Sequence, residues 1–210
     1  MKSRVLAVLA GDRVSRPWLD RWLQEADFIF AADAGADLVL RAGRRPDLLV
    51  GDFDSVSPEG LASAKEVLKA EDQDFSDCEK LLGAALDRGI EDLVLCGLEG
   101  TRIDHGLHAV HSVARWPGRC LLAYETMLGR ILAGPETLTI SCNGVVSALP
   151  ITDCRGVTME GVRWPLDKAV MSPERFSSIS NASEGTATIS VLEGSLFTLW
   201  AYDGSPVWTN

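Results

Sequence analysis

No G-x-x-x-x-G-K-[ST] stretch and no G-x-G-x-x-G stretch occurs in the 210 residues, so neither a P-loop nor a dinucleotide fingerprint handles phosphate here. Any such chemistry would need metal and arginine in place of the P-loop lysine. C-x-x-C pairs are also missing. Cys78, Cys96, Cys120, Cys142 and Cys154 are odd in number and widely spaced, which argues against a disulfide framework and for free thiols in a reducing compartment. No apolar run approaches a membrane span, and the N-terminal "RVLAVLAGD" is too short for a signal-peptide core with its cleavage site. The expectation is a soluble cytoplasmic protein. Clusters of Lys and Arg are lacking too: 20 basic residues face 30 acidic ones, a formal charge of −10. Such a surface does not attract nucleic acid or an anionic membrane, and neither is expected as a partner.

What is abundant is acid in one place. Between Gly51 and Lys80 the formal charge is −6, and five carboxylates fall in two tight groups: Asp52 and Asp54 in "GDFDS", then Asp72, Asp74 and Asp77 in "DQDFSD". Carboxylates this close repel one another unless a multivalent cation neutralises them, which points to metal-dependent chemistry on phosphate.

Periodicity divides the chain. Up to about Tyr124, short apolar runs such as "RVLAVLA", "DFIFAA", "DLLVG" and "DLVLCG" alternate with amphipathic stretches such as "DCEKLLGAALDRG" and "DHGLHAVHSVA". The expectation is an α/β domain over residues 1–128, a three-layer nucleotide-binding fold around a parallel sheet. Ligands of such sheets sit beyond the carboxyl ends of the strands, where "GDFDS" and "LEGTRID" both fall. Later runs, "ETLTIS", "GVVSALP", "TATISVLEG" and "SLFTLWAYD", have period-2 character between Gly, Pro, Ser and Asn. They predict a smaller all-β sandwich domain over residues 129–210.

Each acidic motif also has a plain structural reading. Asp52 or Asp54 could cap a helix beginning near Pro58, although one cap leaves the other carboxylate unassigned. Ser76 or Asp77 could cap the helix of "CEKLL", with Glu79 at capping-box spacing from Ser76; Asp74 and Asp77 would remain free for a metal at a helix end that favours phosphate. In "GLEGTRIDH", Arg102 could stabilise transferred charge and Asp104 could face the same edge, or Asp104 could be an N-cap. "AADAGAD" sets Asp33 and Gly35 at a strand-to-helix turn suited to close passage of a nucleotide. His105, His108 and His111 recur in steps of three, but such steps drift around a helix and no other ligand completes a zinc set.

Taken in order, "ADAGA", "PDLLVGDFDS", "DQDFSDCEKLL" and "GLEGTRIDH", with "GVRWPL" and "SSISN" in the second half, resemble the thiamin pyrophosphokinase family across nearly the whole length. That resemblance implies an ATP-binding catalytic domain followed by a thiamin-binding and dimerisation domain, with the thiamin site at the interface of a homodimer. It implies Mg²⁺ held among Asp52, Asp54, Asp74, Asp77 and Asp104, with these residues and Arg102 as the catalytic set. ATP would be contacted by Asp33, Gly35, Gln73, Ser76 and Arg102. Trp164 would stack on thiamin, with Ser178, Ser180 and Asn181 lining the same pocket; by its residue type alone Trp164 reads as a core or interface aromatic. The implied reaction passes pyrophosphate from ATP to the thiamin hydroxyl, releasing AMP, with Asp74 or Asp104 as the proton acceptor. Alternatives are pyrophosphoryl transfer to another hydroxymethyl heterocycle such as a pterin, a haloacid-dehalogenase-like phosphatase with Asp52 as nucleophile, and a nucleotide-binding module without catalysis.

Overall fold

A computed structural model describes residues 3–208. In chain order its first eleven elements are β1 (Val5–Val8), α1 (Arg16–Glu25), β2 (Phe28–Ala32), α2 (Gly35–Arg41), β3 (Leu48–Gly51), α3 (Pro58–Ser63), β4 (Glu66–Lys69), α4 (Asp77–Asp87), β5 (Asp92–Cys96), α5 (Ile103–Arg115) and β6 (Arg119–Ala123). Six antiparallel strands follow: β7 (Met127–Ala133), β8 (Glu136–Pro150), β9 (Cys154–Glu160), β10 (Leu166–Met171), β11 (Ser178–Val191) and β12 (Ser195–Ala201). Two compact units result. One runs to Glu125 and takes back the chain from Ser205; the other is Thr126–Gly204.

In the first unit the strands stand in the order β6-β5-β1-β2-β3-β4, and every pair is parallel. The uninterrupted apolar runs of β1, β3 and β5 are buried at every position, as a sheet covered on both faces requires. Helix α1 buries Trp18, Leu19, Trp22 and Leu23 on one stripe, the 3.6-residue period of an amphipathic helix. The chain steps outward from β1 through β2, β3 and β4, then returns to pair β5 with the other side of β1. Direction therefore reverses between β1 and β5, where a crevice opens beyond the strand ends in doubly wound sheets.

Local chemistry settles the capping alternatives. Ser57, not an aspartate of "GDFDS", caps α3, accepting the Gly60 amide at 2.9 Å. Ser76 caps α4 in a full capping box with Glu79. Asp104 is no N-cap either; it lies in the first turn of α5, whose cap position is Arg102. The carboxylates of "GDFDS" and Asp104 are thus left for other work.

In the second unit the order is β10-β9-β11-β8-β12-β7. Buried Ala187, Ile189 and Val191 alternate with less buried Thr186, Thr188 and Ser190 along β11, the period of two that the sequence shows. "ETLTIS" and "GVVSALP" prove to be one 15-residue strand, β8. Pairing with β11 runs through Gly144, opposite Ser183, without interruption. Gly144 adopts φ 144, which lets the strand bend where the sequence suggests a turn. All five cysteines are buried free thiols. No helix among the described residues is long and apolar enough to cross a membrane.

Candidate active site

The loops after β1, β2, β3 and β5, and the segment leading into α4, open into one cleft of about 940 Å³. Its floor is a backbone crossing. A Cβ on Gly97, which has φ +77, would stand 2.1 Å from the Leu9 carbonyl oxygen, and one on Gly11 would stand 2.5 Å from those of Gly97 and Glu99. Only glycine permits the loops after β1 and β5 to approach so closely. Asp12 fastens them further by accepting the Thr101 amide at 2.9 Å and the Thr101 hydroxyl at 2.8 Å. Those two bonds, the hydroxyl's above all, lower the proton affinity of the Asp12 carboxyl.

Beside this floor, Asp33, Asp52 and Asp54 place carboxylate oxygens within 4.8 Å of one another. Asp33 is buried and sits at φ 41, a left-handed conformation that Asp tolerates better than most residues. Its Oδ1 accepts the Phe53 amide at 3.0 Å. Gly51 leaves it room, since a Cβ there would lie 2.2 Å from that oxygen. Burial, then the nearby carboxylate of Asp77 and also that of Asp52, push the Asp33 carboxyl up to about 7. Asp52 goes the other way: Gln73 Nε2 donates to it at 2.9 Å, lowering its pKa.

Helix α4 points its first turn into the cleft, bringing Ser76, Asp77 and Lys80. The Lys80 side chain is only 6% exposed, and its Nζ stands 3.8 Å from Asp77 Oδ1. From the start of α5 come Arg102, Asp104, His105 and His108. Arg102 grips Asp104 with two bonds, 2.9 and 2.6 Å, which hold the Asp104 carboxyl well below the usual carboxylate range. His108 Nε2 lies 3.0 Å from Glu79 Oε2. Burial alone would raise the Glu79 carboxyl, but the Ser76 amide, His108, the Ser76 hydroxyl and Arg115 outweigh it and hold it at about 2.

In the second unit the turn between β9 and β10 presents Trp164 with its side chain outward, 56% exposed, so it is not a core residue. Buried Asn181 holds that turn: its Oδ1 accepts the Trp164 amide at 3.0 Å and its Nδ2 donates to the Trp164 carbonyl at 2.7 Å. The Arg163 guanidinium lies 4.9 Å from the Trp164 ring centroid, a cation–π arrangement that orients the indole. The pairing of β11 with β8 shifts register between Ser178 and Asn181, and Ser180 within that irregularity sits at φ 56. The Ser180 amide donates to Ser147 Oγ at 3.1 Å.

Two family models match this chain. Residues 19–121 match the catalytic domain of thiamin pyrophosphokinase, and residues 137–196 match its vitamin B1 binding domain. The chain belongs to the thiamin pyrophosphokinase family. Solved structures agree in fold. A thiamine pyrophosphokinase from Bacillus subtilis has a TM-score of 0.80 at 20% identity, covering 95% of this chain and 100% of the other. The yeast thiamin pyrophosphokinase has a TM-score of 0.77 at 15% identity over 98% of this chain and 88% of its own. One from Geobacillus thermodenitrificans has a TM-score of 0.75 at 24% identity over 97% and 99%. No curated protein sequence matches the chain.

Set against this family, the residues expected from the sequence divide in their placement. Asp33, Asp52, Asp54, Gln73, Ser76, Asp77, Arg102 and Asp104 line the cleft. Asp74 is exposed and is not among the lining residues; its amide donates to Asp72 Oδ1 at 2.8 Å. Gly35 is not among them either. A Cβ there would stand 2.3 Å from the Val8 carbonyl oxygen, so this glycine serves the packing of α2 on β1. Ala34 lines the cleft with right-handed helical dihedrals that need no glycine. Asp33, expected from the sequence to contact the nucleotide, lines the cleft and also lies with Asp52 and Asp54 in a carboxylate cluster that could hold a metal ion. Lys80 and Asp12 went unnoticed in the sequence. For Lys80 the signal was its spacing, one turn beyond the cap Ser76 and on the side of Asp77; for Asp12 it was "AGD" at a strand end, echoing "VGD".

Proposed function

We propose that this chain transfers the pyrophosphoryl group of ATP to the hydroxyl of thiamin, giving thiamin diphosphate and AMP. The observation that carries the proposal is the convergence of Asp33, Asp52 and Asp54 beside Lys80 and Arg102 at the carboxyl edge of the sheet, in a chain matched by both domain models of the family. Hard carboxylate oxygens at this spacing suit a divalent cation such as Mg²⁺, and burial, followed by the neighbouring carboxylates of Asp77 and Asp52, raises the proton affinity of Asp33. Asp33, Asp52 and Asp54 would hold the ion, with Asp77 close by, and the ion would supply neutralisation of phosphate charge.

The side chains do the remaining work by position. Pyrophosphoryl transfer needs in-line alignment and fixed positive charge more than covalent help. Lys80 offers a buried cation, and the first turn of α4 offers amides and a favourable dipole to phosphate oxygens. Turning wholly to the transferred group, Arg102 would release Asp104. That release would return proton affinity to Asp104 as the acceptor hydroxyl must lose its proton. Asp104 therefore suits the role of proton acceptor better than Asp74, which stands away from the cleft lining.

The acceptor's aromatic rings would stack on Trp164, whose backbone Asn181 immobilises. Exposed Trp164 is hydrogen-bonded to Asn181 and exposed Ile179 lies two residues before it, and both support a homodimer whose thiamin site is completed at the interface. The buried free thiols suit the cytoplasm. Mixing the protein with Mg²⁺, ATP and thiamin tests the function directly. AMP and thiamin diphosphate are expected in equal amounts; ADP or free phosphate would overturn the reading, and AMP formed only with a pterin would move it to a sibling activity. Trp164→Ala should raise the KM for thiamin roughly tenfold through lost stacking while leaving the KM for ATP unchanged. An unaltered thiamin KM would remove Trp164 from the site.

A further inference from the structure

Glu79 is not among the residues that line the cleft, yet it gathers donors from both helices beside it. Its Oε2 accepts the Ser76 amide and the Ser76 hydroxyl, each at 2.9 Å, and lies 3.0 Å from His108 Nε2. Its Oε1 accepts from the Arg115 guanidinium at 2.6 Å. The first two donors belong to the cap of α4, whose first turn brings Ser76, Asp77 and Lys80 to the cleft. The other two belong to α5, which brings Asp104 and His105. An isolated surface ion pair contributes little. Here one carboxylate, 21% exposed, is shared among four donors on two elements, so its geometry is fixed from several directions. A cap alone would need only the two bonds to Ser76.

We propose that Glu79 is a positioning residue for the transfer: by tying the first turn of α4 to α5, it fixes Asp77 and Lys80 relative to Asp104 and His105 across the cleft. The proposal rests on the function given above. Arg115 lies in the last turn of α5 and outside the cleft lining, so it can influence a substrate only through such a tie. That separates positioning from contact.

The test uses Glu79→Gln, Arg115→Met and Arg115→Lys in the full chain, with steady-state kinetics and calorimetric binding of α,β-methylene-ATP with Mg²⁺. Glu79→Gln and Arg115→Met should each raise the KM for ATP and the Kd for the analogue about tenfold, with the thiamin KM unchanged. Arg115→Lys should restore both to within about twofold, and the double variant Glu79→Gln/Arg115→Met should be no worse than Glu79→Gln alone, as one shared pathway requires. Lowered melting temperatures with wild-type KM and Kd would reduce Glu79 to a helix cap and overturn the proposal, as would a normal KM and Kd in Arg115→Met. A wild-type protein that binds the analogue but makes no AMP from thiamin would defeat the function and leave the binding comparison to decide on Glu79. Failure of the wild-type protein to bind the analogue would overturn the positioning role as well.

Discussion

Asp54→Asn is expected to lower turnover by about 10²- to 10³-fold at saturating Mg²⁺ without a loss of fold. Asp54 is exposed, and the bond it gives Asp52 Oδ1 at 3.2 Å comes from its backbone amide, which Asn retains. What the substitution removes is one negative charge from the cluster with Asp33 and Asp52. The same cluster predicts a pH signature. Asp33 keeps its proton up to about 7 in the folded protein against an ordinary value of 3.8. Its contribution to the stability of the metal-free protein is therefore complete below pH 3.8 and is lost as the pH rises through about 7. A cation bound there competes with that proton, so the rise in melting temperature on adding Mg²⁺ should be larger at about pH 8 than at about pH 6. In Asp54→Asn the rise should shrink at both. Turnover near that of the wild type would remove Asp54 from the metal cluster; a Mg²⁺ effect independent of pH would remove Asp33.

The legible parts of this molecule were those where local chemistry and fold agree. Buried parallel strands read as unbroken apolar runs, and the capping box of Ser76 and Glu79 could be placed by spacing alone. β4 was not legible. Its four residues, Glu66–Lys69, are all exposed, so no hydrophobic period marks them; the strand exists because it pairs in register with β3. β10 was hidden for a similar reason, since its pairing with β9 shifts register twice in six residues and blurs any alternation. In the cleft, "GDFDS" pointed to a cation because two carboxylates stood together in sequence. Asp33 joins them from another strand end, and only the parallel register of β2 against β3 shows that the three belong together. Asp74 stands apart for the opposite reason: closeness in sequence to Asp77 does not carry it past the helix cap into the cleft. Both placements depend on how the chain folds around the cleft, which closeness in sequence does not carry.

Lys80 raises the sharpest question, because Arg102 was the cation expected to replace a P-loop lysine. Exposure decides between them. The Arg102 side chain is 66% exposed and already paired with Asp104, so water and salt screen it. The Lys80 side chain is 6% exposed, where a fixed charge acts more strongly on a neighbouring phosphate. Lys80→Met should therefore lower kcat/KM for ATP by about 10²-fold, more than Arg102→Met does. Met preserves most of the buried volume, and Asp77, 46% exposed, can be solvated once its partner is gone, so the fold should survive. Lys80→Arg should recover only part of the loss, since a planar fork does not fit the space of a compact ammonium. Steady-state kinetics on the three variants, with melting temperatures as a control, make the comparison. If Lys80→Met keeps its activity and Arg102→Met does not, Lys80 is a counter-ion of Asp77 and the phosphate-facing charge is the one on Arg102.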